Sequence, residues 1–147
     1  MNHHPYLRAY MAGISVPTPL LLVALTLFTV ARFVYNIPIP VERVIIFPMA
    51  IIPNLFGLWN LLHQASRSRL PLGIHGAILP FLIVPAGFLL GRSLGFLEAT
   101  NHSLVYFGVV QVHYVHLALL FPVVLIVYYL VWKYLIGFFN HVVGIGE

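Results

Sequence analysis

Eight histidines and three glutamates hold most of the side-chain chemistry in this cysteine-free chain. His113 and His116 form an HxxH pair, and on a helix that spacing puts two imidazoles on one face, where they can share a metal ion. Two ligands do not complete a site. Glu98 and His102 are the donors expected at the same membrane face, so the candidate metal set is Glu98, His102, His113 and His116. A carboxylate gathered with imidazoles suits a divalent metal, a proton relay or a polar headgroup. The ordinary explanation competes with this one: membrane interfaces collect polar residues, and Glu98 can simply pair with Arg92, Arg32 or His102.

Two further sets belong to recognition rather than catalysis. Gly87, Gly91 and Gly95 repeat GxxxG twice, a pattern that lets a neighbouring helix approach closely, whether from this chain or from another copy. Arg67, Arg69 and Lys133, with His3, His4, His63, His75 and His141, form a basic face suited to anionic lipid headgroups, or else serve as plain flanking anchors. Asn54 lies within an apolar stretch, where an unpaired amide costs several kcal/mol, so it is expected to find a partner inside the bundle. Asn60, His63 and Gln64 fall on adjoining parts of one helix face, which reads as interhelical hydrogen bonding with an interfacial end, or else as a ligand-binding face.

Among cofactors, haem and a divalent metal are the two that the histidines allow, and neither is favoured. His75 lies toward one face of the bilayer, with His113 and His116 toward the other, too far apart to ligate one iron. Only His63 with His75 survives on depth. The sequence has no HExxH, no GxSxG, no P-loop and no GxGxxG, and one HxxH is too few for a membrane di-iron enzyme. The expectation is a non-catalytic protein.

The elements that position these residues follow from composition. The 147 residues are 61% hydrophobic and 7% charged, with mean hydropathy +1.00. Soluble proteins carry about 25% charged residues, so this chain has too little polar surface to face water. The seven Lys and Arg form no stripe for nucleic acid, and the net charge of +4 fits topology better. The sequence therefore predicts an all-α, polytopic membrane protein: one domain over 1–147, folded as a four-transmembrane-helix bundle.

About 20 apolar residues cross a hydrocarbon core of about 30 Å. Four segments reach that length, near 16–35, 42–63, 73–97 and 104–139. Thr18 is the expected N-cap of the first, with Pro19 at its first turn. Pro38 and Pro40 break the chain before the second helix, and the run from Gln64 to Pro71 turns it into the third. Pro48, Pro53, Pro80 and Pro85 read as kinks. The fourth segment exceeds a bilayer, and Trp132, Lys133 and Tyr134 mark its interfacial end, so its first turns are expected to emerge from lipid. A cleaved leader ending near Ala31 is the lesser alternative, since the apolar run is long for one.

Four crossings put both termini on one side, with Arg8, Arg67, Arg69 and Lys133 against Arg32, Arg43 and Arg92, which favours cytoplasmic termini. The functional expectation is an accessory or assembly subunit whose partners are the lipid bilayer and other membrane subunits or itself. The alternative is an ion-, proton-, metal- or lipid-handling protein built on the His/Glu cluster.

Overall fold

The computed structural model describes residues 4–38, 46–66, 69–108 and 110–145. It is mostly helical, with four helical rods, three of them long and apolar enough to cross a membrane: Pro5–Phe33, Leu72–Ser93 and Tyr114–Val142. The chain divides into two compact units. One joins Met1–Leu70 to Tyr134–Glu147, and the other is Pro71–Lys133.

In the first unit, α1 (Pro5–Ser15) runs through Val16, itself in right-handed helical geometry, into α2 (Pro17–Phe33). The rod thus begins well before the expected residue 16. Thr18 is no cap: it lies inside the rod, and its hydroxyl donates to the Ile14 carbonyl at 2.7 Å. The early start has a packing cause. Ala9, Ala12 and Gly13, at helical spacing, make a small-residue face that is buried against α3 (Phe47–Ala65). A Cβ on Gly13 would lie 2.6 Å from the Phe56 carbonyl oxygen and 2.7 Å from Gly57 Cα, so the two backbones are in contact. The pairs Ala9–Asn60 and Gly13–Gly57 run in opposite order, which makes α3 antiparallel to α1. Pro48 falls in the first turn of α3, where its missing N–H is harmless, and Pro53 is internal. The expected helix start at Glu42 lies outside the described residues, as does Arg43. The short α6 (Gly137–Val142) completes the unit against α1.

In the second unit, α4 (Leu72–Ser93) contains Pro80 and Pro85, as expected, but stops four residues before residue 97. Gly95 adopts φ +72°, the left-handed geometry glycine tolerates best. Its N–H reaches Arg92 O at 3.2 Å while Phe96 N–H reaches Gly91 O at 3.1 Å, the paired bonds of a Schellman stop.

The chain then forms a three-stranded antiparallel meander of β1 (Leu97–Ala99), β2 (Ser103–Tyr106) and β3 (Val110–His113). This corrects the all-helical expectation, since Ser103–Tyr106 and Val110–His113 are strand and residues 107 and 108 are turn rather than the start of the last helix. The run Leu104, Val105, Tyr106 before Gly108 and Val110, Gln111, Val112 after it has the aromatic and β-branched content of a hairpin. Leu97 and Leu104 are buried. From α5 (Tyr114–Leu130) the helix continues through a π-helical segment, Val131–Ile136.

Within this unit α4 packs on α5 through glycines placed under aromatic rings. A Cβ on Gly76 would fall 1.9 Å from Trp132 Cγ, and one on Gly73 would fall 2.7 Å from the Tyr129 ring. Trp132 is completely buried, and its ring centre is 6.2 Å from that of His75, itself only 6% exposed. Phe81 meets Phe121 edge-on at 5.2 Å.

Candidate functional site

The residues with most chemical potential collect at the junction of β3 and α5. His113 ends β3 in extended geometry and stands at the N-cap of α5, while His116 lies in that helix's first turn. Their ring centres are 5.9 Å apart and the rings cross at 71°. Both are exposed. The two rings thus stand side by side across a strand-to-helix joint, not on one helix face.

Hydrogen bonds fix the joint. Tyr114 N–H donates to His102 O at 3.1 Å, tying the helix start to the β1–β2 turn, and the Tyr114 hydroxyl donates to Thr100 O at 2.7 Å. Ser103, fully buried, shares a 2.8 Å bond with the Thr100 hydroxyl and receives one of 2.8 Å from the Gln111 amide. Thr100 Oγ1 also accepts from Ser103 N–H at 3.1 Å. Burial of a hydroxyl demands such partners.

Glu98 and His102 do not join the pair. Glu98 is in register with Val105, which faces Gln111, whereas His113 opposes Ser103. Two strand spacings and two residues along the strand place Glu98 and His113 on one sheet face with Cα atoms roughly 12 Å apart. His102 sits in the turn, exposed, and contributes its carbonyl to the joint. Among the described residues no three or more His, Cys, Asp or Glu are grouped to hold a metal ion.

The three glycines separate in the same way. A methyl group placed on Gly87 would meet nothing within 4 Å, while one on Gly91 would lie 3.0 Å from both Phe96 and Leu97 of its own unit. Gly95 has left the helix. Of the proposed headgroup residues, Arg67 lies outside the described residues, Arg69 is exposed, and Lys133 Nζ sits 5.6 Å from the centre of the Tyr129 ring.

A second polar centre lies within the first unit. Asn60, fully buried, donates to Ala9 O at 2.8 Å and exchanges bonds of 2.7 and 3.2 Å with Asn140. The Asn54 carbonyl accepts from the Tyr10 hydroxyl, and its amide donates to Ala50 O at 2.7 Å. Arg8 reaches Val143 O at 3.2 Å, a cation at the carbonyl end of α6, where Gly144 at φ +73° closes another Schellman stop. Sequence reasoning identified Asn54 as needing a partner and Asn60 as a site of interhelical hydrogen bonding but missed Tyr10 and Asn140. Only Asn140, an amide in an aromatic and apolar run, carried a visible signal.

Compared with known proteins, the chain matches no family model, no curated sequence and no solved structure.

Proposed function

We propose that this protein is a non-catalytic, four-crossing membrane subunit, with both termini on the cytoplasmic face, that acts as an accessory or assembly component covered by lipid and by other membrane subunits or a second copy. The observation that carries the topology is the bond from Arg8 to Val143 O. It ties the start of α1 to the end of α6, and ends on one side go with an even number of crossings. The three apolar rods among the described residues give an odd number, which favours α3 as the fourth. Its 19 residues extend about 28 Å, close to the hydrocarbon thickness, and it runs antiparallel to α1. Its asparagines, which lower its hydropathy, are satisfied by Tyr10, Asn140 and backbone carbonyls.

The subunit role rests on what the crossings leave uncovered. Only 6% of the most apolar window in Tyr114–Val142 is buried inside the chain, against 28% in Leu72–Ser93. Leu119, Val123, Ile126 and Val127 are all at least half exposed on the first of these, and Gly87 leaves an open small-residue position on the second.

Two measurements test the two halves of this reading. Reporters fused to each terminus in turn are expected on the cytoplasmic side in both cases, and opposite sides would refute four crossings. A photoreactive amino acid at Leu119, Ile126 or Gly87, activated in native membranes, is expected to attach to a discrete protein. Attachment to lipid alone from all three sites would refute the subunit role.

A further inference from the structure

We propose that His113 and His116 form an open, two-nitrogen binding site for a late divalent transition-metal ion such as Cu²⁺, with water completing the coordination. Imidazole is a preferred ligand for these ions, and exposure of both rings leaves room for exchangeable waters.

The geometry is close to what a shared ion needs. Two imidazoles bound to one metal at about 2.1 Å, with an angle between square-planar and tetrahedral, have ring centres roughly 4.5 to 5.3 Å apart. The observed 5.9 Å thus requires the rings to close by roughly 1 Å, within reach of side-chain rotation on a surface. The backbone beneath is already held, by the Tyr114 bonds to His102 O and Thr100 O and by the pairing of Ser103 with His113. Binding therefore orders two side chains without having to order the chain that bears them. His113 makes no side-chain capping bond to α5 that a metal would have to displace.

The ligand count is two. Glu98 is separated by the sheet register, and among the described residues no third His, Cys, Asp or Glu completes a group. The positive end of the α5 dipole also opposes a cation here. The site is accordingly weaker than a closed four-ligand centre, and its ion exchanges freely.

The test uses the full chain in detergent with His3 and His4 replaced by alanine, which removes competing terminal imidazoles. Titration with Cu²⁺ is followed by calorimetry and electron paramagnetic resonance. One ion per chain with a two-nitrogen signature is expected. His113→Asn, which keeps a good helix N-cap, and His116→Ala should each weaken binding at least tenfold, while His102→Ala and Glu98→Gln leave it unchanged. Unchanged affinity in His113→Asn and His116→Ala, or an equal loss in His102→Ala or Glu98→Gln, would overturn the two-histidine site.

Discussion

The two units solve the same packing problem with different materials. Residues 1–70 with 134–147 bring helices together by removing side chains on both partners, Gly13 against Gly57, and then fasten the contact with Asn60, Asn140 and Arg8. Residues 71–133 remove side chains on one partner only. Gly73 and Gly76 receive Tyr129 and Trp132, and no amide pair links α4 to α5 among the bonds of the described residues. In the bilayer proposed for them, apolar helices have no hydrophobic reason to associate, so contact has to come from close packing or from polar bonds. The first unit uses both, and in the second aromatic rings fill glycine notches.

The contrast breaks most sharply at Gly76. Gly76→Ala drives a methyl into Trp132 near its own backbone, where ring rotation gives little relief, and should cost about 3 kcal/mol. Thermal unfolding in detergent, read from Trp132 with Trp59 replaced by Phe, checks it. A loss below about 1 kcal/mol would mean that the notch is not what holds α4 to α5.

A smaller effect is expected in the first unit. Asn60→Ala removes bonds to Ala9 O and Asn140 and should cost about 1.5 kcal/mol, near the upper end for hydrogen bonds within membranes. Asn60→Ala combined with Asn140→Ala should cost less than the two single losses added, because the second substitution no longer strands a partner. Strict additivity would deny that the amides act as a pair.

The smallest effect belongs to Gly87. With nothing near it, Gly87→Ala should not destabilise and should gain at most about 1 kcal/mol from the higher helix propensity of alanine, although it lies on the same helix as Gly76. A large destabilisation there would remove the distinction between filled and open glycines on α4.

Gly91 and Gly95 show why the GxxxG spacing could not be read from sequence alone. The pattern presumes one continuous helix, and continuity was decided by whether Gly95 took the left-handed geometry that ends α4. The same limit applies at His113. HxxH presumes one helix face, whereas the two rings flank a joint created by strand pairing with Ser103. Strand pairing is a long-range choice, and a run of Val, Tyr and Phe inside an apolar segment fits a membrane helix or a hairpin equally well.

The sequence by itself determined the apolar, mostly helical character of the chain, because a low charge content and long apolar runs hold in any fold. It also determined that Asn54 needed a partner, since the cost of a buried amide does not depend on who meets it. The tertiary structure alone decided who does: Tyr10 for Asn54, and Asn140 with Ala9 O for Asn60. It also decided that Glu98 stands apart from the histidine pair, because register places side chains in space and spacing along the chain does not.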